Sequence, residues 1–383
     1  MSENVTFFTV ADKRFFPAAG GLVNSLRVVG HQQPIMLLDC GLTSDQRDVL
    51  GSECRLVSPP SSDPINPQLL KPFAHLLNPT GIVVILDSDL IVVRGLDPFL
   101  REAASGALCI NLDPESTRWF AEWEDVFALG RAPRRQPYVS SGFMAFSVDH
   151  WPELLPRWWD ACQRIRSRPT RFYGEPDSPT AQSDQDALNA VLMSAESSPR
   201  LHLLPDEALP TMDQFRRDVR VLDPRMLSCS IEGRPVTLLH PSVKVKPFET
   251  DRWIDQGRSP YPRLLRRLIV GSDVRVRVPG DELPLWLRSG RRGALMYHVL
   301  FLVNAAIDPI RLALYRLGVG SALRRARAAF NRSARSQKPR AEDQDGNRHQ
   351  ARTDEDPRVR GTAGEHDAKQ DIHNHGNESV RRE

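Results

Sequence analysis

Short apolar runs alternate with helix-like amphipathic stretches over the first 260 residues of this chain. The runs predicted as strands are FFTV (7–10), PIMLLD (34–39), GIVVILD (81–87), ALCI (107–110) and FMAFSV (143–148). The stretches predicted as helices are 20–29, a segment that opens at 43–45, 151–166 and 184–194. Because strands that alternate with helices form parallel sheets, the pattern predicts an α/β domain with a mostly parallel central sheet flanked by helices.

A different pattern begins near residue 291. Residues 294–307 form a 14-residue, almost wholly apolar run, after which Asp308 and Pro309 are expected to end the first helix of a pair. The run is too short to span a bilayer, so no transmembrane helix is predicted. Residues 291–330 contain seven Arg and one Asp. This combination indicates either a helix pair that lies on an anionic membrane surface or helices that cap the globular domain.

The C-terminal segment has a composition of its own. Residues 331–383 contain no Leu, Phe, Met, Trp or Tyr. Such a segment cannot bury enough apolar surface to offset its ordering entropy, so we predict that it is disordered. The predicted organisation is a globular domain over 1–262, a basic helical extension over 263–330 and a disordered polar tail over 331–383.

The overall charge indicates which class of molecule the protein binds, and the cysteine pattern indicates its cellular compartment. The 51 Lys and Arg against 48 Asp and Glu give a net charge of +3, which argues against nucleic acid as a partner. The five cysteines include no C-x-x-C pair, and the N-terminus shows no basic segment followed by an apolar one. We therefore expect free thiols, no secretory signal and a cytoplasmic location.

The strongest chemical signal is the acid pair at the end of the run 81–87. Asp87 and Asp89 are separated by Ser88 and follow a strand that is predicted to be buried on both faces. Ligands of open α/β sheets bind beyond the carboxyl ends of the strands, where two adjacent acids attract a hard divalent cation. The alternative is a solvated pair that caps a helix. Phosphohydrolases of the HAD type also use D-x-D, but they place it on the first strand, and FFTV has no such pair.

Three later segments add candidate chemistry. Small hydroxyl residues at 140–141 precede the strand over 143–148, acids and an amide at 184–186 open a helix, and His240 is followed by Lys244 and Lys246. A neutral imidazole can complete a metal site, and lysines can pair with phosphate. The alternative interpretations are a capped helix start and a structural or solvated histidine.

The order of these motifs resembles the retaining glycosyltransferases of family 8, which have the GT-A fold. The resemblance covers roughly residues 5–260. The matching positions are Val10-Ala11-Asp12, Asn24-Ser25-Leu26, Asp87-Ser88-Asp89, Ser140-Ser141-Gly142, Asp184 to Asn189, and His240 to Phe248.

The resemblance implies transfer of a hexosyl unit from a UDP-sugar to a hydroxyl of a glycan or lipid-linked acceptor, with retention of configuration. Asp87, Asp89 and His240 would bind Mn²⁺ or Mg²⁺. Asp184 and Gln185 would face the anomeric carbon and the reacting sugars. Retention requires either two inversions or same-face attack beside the departing phosphate, and the sequence leaves both open.

The resemblance also implies a set of residues around the donor. Asp12 would lie by the nucleotide base, and Lys246 would contact the diphosphate. Asp113 would line the same cavity. The other residues implied to bind the donor are Asp87, Ser88, Ser140 and Gly142.

Two positions depart from the family pattern. Ser140 stands where the family has Asn, and Val243 stands where the family has a Gly that lets the backbone approach the diphosphate. These departures favour the alternative function, a non-catalytic module that binds a sugar nucleotide or glycan.

The C-terminal region adds an expected location. Bacterial members of the family that build envelope glycans often have basic, aromatic C-terminal helices. By resemblance, residues 291–330 would dock the protein on the inner face of the cell membrane.

Overall fold

The computed structural model describes residues 4–59, 66–166, 178–196, 199–212, 219–241, 246–250 and 259–316. The predicted tail, residues 317–330 of the predicted extension, and Val243 and Lys244 lie outside these ranges.

The strands are β1 (Val5–Ala11), β2 (Ile35–Asp39), β3 (Arg55–Val57), β4 (Ile82–Leu86), β5 (Ile91–Val92), β6 (Leu108–Leu112), β7 (Val139–Ser147), β8 (Leu201–Leu203), β9 (Thr211–Met212), β10 (Val219–Asp223), β11 (Ser228–Ile231), β12 (Arg234–Pro235) and β13 (Leu238–Pro241). The α-helices are α1 (Phe16–Val28), α2 (Ser44–Gly51), α3 (Asp97–Ala104), α4 (Trp123–Phe127), α5 (Leu154–Arg166), α6 (Asp184–Met193), α7 (Pro260–Val270) and α8 (Gly290–Arg316).

Seven strands form the central sheet in the order β3-β2-β1-β4-β7-β6-β8. Every neighbouring pair is parallel except the two that involve β7, which runs antiparallel to β4 and to β6. The predicted α/β class with a mostly parallel, helix-flanked sheet is therefore confirmed. Since β7 runs backwards, its first residues lie at the same edge of the sheet as the last residues of β4.

Helical layers cover both faces of the sheet. Successive side chains of a strand point to opposite sides, so each strand contributes to two separate cores. In β1, Phe7 belongs to the core shared with α1 and α7, and Phe8 belongs to the core shared with α5 and α6. In β4 all five residues are buried. Val84 belongs to the core on the α1 side, and Val83 belongs to the core on the α5 side. This double coverage explains why the β4 sequence is an unbroken apolar run.

Local signals in the sequence explain where helices begin. The predicted opening at 43–45 is α2, for which Thr43 is the N-cap and forms a reciprocal capping box with Gln46. Helix α1 begins at Phe16, four residues before the predicted start, with Pro17 in its first turn. Proline is favoured in that turn because its missing N–H would have no helical partner there.

The C-terminal helix corrects one prediction. Asp308 and Pro309 do not separate two helices, because α8 continues through Pro309 as a single helix of 27 residues. An internal proline removes one backbone hydrogen bond at a cost of about 3 kcal/mol. Strong helix formers on both sides, at 305–306 and 312–314, oppose that cost.

Asn24 ties α7 and the residues that follow it to α1. Its Nδ2 donates to the carbonyl oxygens of Leu268 and Val276, at 2.8 Å each, and its Oδ1 accepts from the N–H groups of Arg275 and Val276. Gly21 permits the close contact between the helices, since a Cβ there would lie 2.7 Å from Leu265 Cδ1. Asn24, which the sequence matched only to a family motif, therefore has a structural role here. The division proposed at residue 262 stays a prediction, and α7 runs across that position.

His31 makes stability depend on pH. The ring is buried, and its Nε2 accepts the N–H of Leu96 at 2.8 Å, so the native protein requires the neutral form. Burial lowers the pKa of His31, against an opposing effect of Asp97. Below about pH 6.5 the unfolded chain binds a proton that the native state excludes, so stability falls as pH falls, by up to about 1.4 kcal/mol per pH unit. Urea unfolding at pH 7.5 and 5.5 should show a smaller pH effect in His31→Gln than in the wild type, and an equal effect would contradict this role.

Candidate active site

The turn after β4 places two acids at the carboxyl edge of the sheet. The N–H of Asp87 donates to the carbonyl oxygen of Gly142 at 2.8 Å, and the N–H of Leu90 donates to the carbonyl oxygen of Asp87 at 3.0 Å. The chain therefore reverses over Ser88 and Asp89, both of which are buried, and continues into β5.

His240 reaches the acids through a strand pairing. In β13 the residue before it, Leu239, pairs with Ile91 of β5, two residues after Asp89. The His240 Nε2 lies 3.2 Å from Asp89 Oδ1 and 3.5 Å from Asp87 Oδ2. The predicted grouping of two carboxylates and one imidazole is therefore present, although 150 residues of sequence separate its parts.

This cluster fits a divalent metal ion. One ligand atom from each of Asp87, Asp89 and His240 lies within 4.8 Å of the others. Gly142 keeps the adjacent space open, since a Cβ there would lie 3.1 Å from Asp87 Oδ2 and 3.3 Å from His240 Cε1. Two carboxylates and one imidazole are donors that Mn²⁺ accepts and that Mg²⁺ accepts less readily, because Mg²⁺ prefers oxygen.

Lys246 places a positive charge beside the acids. Its Nζ lies 2.7 Å from Asp89 Oδ2 and donates to the carbonyl oxygen of Pro241 at 2.9 Å. Burial alone would raise the pKa of Asp89, but Lys246 and His240 together bring it well below its usual range. Asp89 is therefore ionised in the native protein.

Lys71 is a site residue that the sequence did not reveal. It belongs to a 3-10 helix, Pro67–Leu77, and its buried Nζ lies 2.6 Å from Asp87 Oδ1, 3.0 Å from Asp184 Oδ2 and 3.1 Å from Ser141 Oγ. Burial alone would lower the pKa of Lys71, but the two carboxylates raise it above its usual value. No motif marks this lysine. The available signal was a single charge inside the apolar segment LLKPFAHLL.

The first turn of α6 lies on the other side of Lys71. Asp184 is buried, and its Oδ2 accepts from Ser141 Oγ at 2.7 Å. The Gln185 Oε1 accepts from the N–H of Ser141 at 3.1 Å, and its Nε2 donates to Asp113 Oδ2 at 2.9 Å. Asp184 and Gln185 thus both contact Ser141, and their assignment to the reacting sugars stays a prediction.

Ser140 has a different setting from the serine that follows it. Its Oγ accepts from the N–H of Gly142, two residues along the same strand, at 3.3 Å. Ser141, which the sequence did not select as a site residue, makes the contacts with Lys71 and Asp184. Successive residues of a strand point to opposite faces, so only one of the two serines can face Lys71 and Asp184. The sequence does not show which one, because that depends on the register of β7.

The later residues of the 184–189 motif hold α6 in place. Asp186 is buried and accepts from Arg118 at 2.7 Å and from the Tyr138 hydroxyl at 2.8 Å. Asn189 accepts from the N–H of Val139 and donates to the carbonyl oxygen of the same residue. These contacts attach α6 to the start of β7 and so set the position of its first turn.

Asp12 follows β1 at the same edge of the sheet. Its Oδ1 accepts from the N–H groups of Arg14 and Phe15, so the carboxylate stabilises the turn into α1. Beside this turn lies a cleft of about 420 Å³, lined by Lys13, Arg14, Pro17, Phe248, Glu249, Thr250, Glu282 and Pro284. The structure brings Asp12 close to an open cleft, and its assignment to the nucleotide base stays a prediction.

Comparisons with known proteins return distant structural likenesses. No protein-family model matches the chain, and no curated protein matches it. An apo structure of the bifunctional glycosyltransferase WbbM matches with 14% identity and a TM-score of 0.49, over 71% of this chain and 50% of that one. The chain therefore spans about half the length of WbbM.

The galactosyltransferase LgtC also matches, in two structures. The complex with donor and acceptor sugar analogues shows 15% identity and a TM-score of 0.45, over 72% of this chain and 98% of that one. An active-site mutant of LgtC shows 16% identity and a TM-score of 0.43, over 68% and 94%. With scores below 0.5, these overlaps add no weight, and function must be inferred from the side-chain geometry.

Proposed function

We propose that this protein is a metal-dependent retaining glycosyltransferase of the GT-A fold, similar to family 8. It would move a hexosyl unit from a UDP-sugar to a hydroxyl of a glycan or lipid-linked acceptor. The observation that supports this most directly is the grouping of Asp87, Asp89 and His240 at the carboxyl edge of the sheet, within 4.8 Å of one another.

The leaving diphosphate would be bound on the Lys246 side of the site. Mn²⁺ or Mg²⁺ held by Asp87, Asp89 and His240 would neutralise negative charge on the departing group. Lys246 is already held beside Asp89, at 2.7 Å, so its ammonium can donate to a phosphate oxygen with little reorganisation. Charges fixed in place before the reaction are the most effective kind of electrostatic stabilisation.

The reacting sugar would lie on the Asp184 side. The Oδ2 of Asp184 is engaged by an ammonium at 3.0 Å and by a hydroxyl at 2.7 Å, which lowers its nucleophilicity. Gln185 offers a neutral amide. These contacts favour same-face attack beside the departing diphosphate over a covalent intermediate on Asp184.

This function can be tested by measuring UDP release and melting temperature with a panel of UDP-sugars, each with and without Mn²⁺. We expect the protein to release UDP from at least one donor when Mn²⁺ is present, and we expect that donor to raise the melting temperature of the protein. Binding without turnover across the whole panel would support the non-catalytic module, which the departures from the family pattern at Ser140 and Val243 favour. Phosphate release from simple monoesters without a nucleotide would support a HAD-type hydrolase.

We propose a cytoplasmic, membrane-proximal location for this transferase, and the exposed side of α8 is the feature that suggests contact with a membrane. Met296, Tyr297 and Leu300 pack against the core, whereas Leu295 and Leu302 are each 66% exposed. Basic residues lie at the N-terminal end of this helix, where Arg288, Arg291 and Arg292 are exposed. Among the helices that the structure describes, none has the length and hydropathy to cross a bilayer. We propose that this face lies on an anionic membrane surface, close to a lipid-linked acceptor.

Vesicle sedimentation tests the membrane contact. The double variant Leu295→Glu/Leu302→Glu keeps the residues that pack on the core but should weaken binding to phosphatidylglycerol vesicles at least tenfold, because each leucine contributes about 1.5 kcal/mol when buried. Leu222→Glu is the control, since Leu222 is 65% exposed on β10. Deleting residues 291–383 should also release the protein, and a truncated form that still pellets would exclude this role.

A further inference from the structure

We infer that Asp113 is a positioning residue, which sets the orientation of the Gln185 carboxamide. The inference rests on the proposed function, because it concerns how Gln185 is presented to the reacting sugars. Asp113 directly follows β6, and Gln185 is in the first turn of α6, so the contact joins two separate parts of the domain.

Both ends of the Gln185 amide are paired. The Oε1 accepts from the N–H of Ser141 at 3.1 Å, and Nε2 donates to Asp113 Oδ2 at 2.9 Å. Rotating the amide by half a turn would place NH₂ against an N–H and a carbonyl oxygen against a carboxylate. An ionised carboxylate accepts hydrogen bonds and cannot donate them. Asp113 therefore permits one of the two amide orientations.

Asp113 is itself held on both sides. Its Oδ1 accepts from the N–H of Glu115 at 2.8 Å, and its own N–H donates to the carbonyl oxygen of Tyr138 at 3.1 Å. The oxygen that remains, Oδ2, is the one that meets Gln185. The carboxylate thus has a fixed direction that does not depend on a bound ligand.

The selected orientation has a consequence for the reaction. It keeps the amide oxygen, the negative end of the group dipole, on the Ser141 side, where Lys71 and Asp184 also meet. An oxocarbenium-like state is stabilised by a negative dipole that is in place before the charge develops. Without Asp113 only the N–H of Ser141 selects between the two orientations, so the amide is held less firmly with its oxygen toward that charge.

A double-mutant cycle tests this role. Asp113→Ala should lower kcat about tenfold and change the KM for the donor less than about twofold, because one hydrogen bond to a charged group is lost. In a Gln185→Ala background, Asp113→Ala should have no further effect. Asp113→Asn should recover part of the rate, since its carbonyl oxygen can still accept from Nε2. Effects that multiply in the double variant, or a raised KM for the acceptor, would show that Asp113 binds a sugar directly.

A second measurement is independent of catalysis. In protein labelled with ¹⁵N-glutamine, the side-chain NH₂ signal of Gln185, assigned by its loss in Gln185→Ala, should shift in Asp113→Ala. It should not move in Asp149→Ala, an exposed aspartate beyond the opposite end of β7. An unmoved signal in Asp113→Ala would overturn the inference. A wild-type protein that releases no UDP from any donor, but shows the shift, would refute the proposed function and leave the amide assignment intact.

Discussion

Asp89→Asn is expected to abolish metal-dependent UDP release, with a loss of about 10³-fold or more. Asp89 is buried, and its two oxygens face His240 and Lys246. The amide keeps the shape of the side chain but removes the charge that attracts a divalent cation, a contribution of several kcal/mol to leaving-group stabilisation. The measurement is UDP release across a Mn²⁺ titration, together with Mn²⁺ affinity by electron paramagnetic resonance.

Asp39→Asn is the matched control for that experiment. Asp39 is also a buried acid at the carboxyl edge of the sheet, where it pairs with Arg47 at 2.5 Å and accepts from the N–H groups of Gly41 and Leu42. The same chemical change there should lower stability but leave Mn²⁺-dependent release in place. Near-wild-type transfer by Asp89→Asn, in protein that melts at the control's temperature, would rule out the metal assignment.

Lys71→Met is expected to have the second large effect, on stability as well as activity. The change leaves Asp87 and Asp184 without the ammonium that lies between them at 2.6 and 3.0 Å. Removing one partner of a buried ion pair costs about 3–5 kcal/mol, because the remaining charge is uncompensated. Urea unfolding should show this loss at pH 7.5, and UDP release should fall below detection.

The loss in Lys71→Met should shrink as pH falls toward 5. Two carboxylates that repel each other hold protons more tightly when folded than when unfolded, so lowering the pH stabilises the folded variant. Lys13→Met, which removes an exposed lysine from the nearby cleft, should keep wild-type stability at both pH values. A Lys71→Met protein as stable as Lys13→Met would show that the acids are not coupled through this lysine.

Much of the fold could be predicted because its signals are local. The unbroken apolar run of β4 and the capping residues of α2 each predict their element without knowledge of the rest of the chain. The direction of β7 could not be predicted in this way. It depends on which strands are neighbours, and strand neighbours are set by packing between distant segments.

The site was only partly predictable for the same reason. Asp87 and Asp89 are adjacent in sequence and could be assigned from the end of a buried strand. Lys71 could not be assigned, since nothing near it in sequence shows that it meets Asp87 and Asp184. A sequence motif also assigned Asn24 to the family pattern, whereas its side chain donates to the backbone carbonyl oxygens of Leu268 and Val276.

The pairing of β13, the strand that contains His240, has a consequence for the position of the imidazole. Strand β13 pairs through two residues with β5 and through two with β9, so its ladders are far shorter than those of the main sheet. Burial of Leu238 and Leu239 in the core, rather than the number of ladder hydrogen bonds, holds this strand in place. The two short ladders that position His240 are separate from the seven-stranded sheet. A change in either short ladder would move the imidazole relative to the acids and leave the seven-stranded sheet as it is.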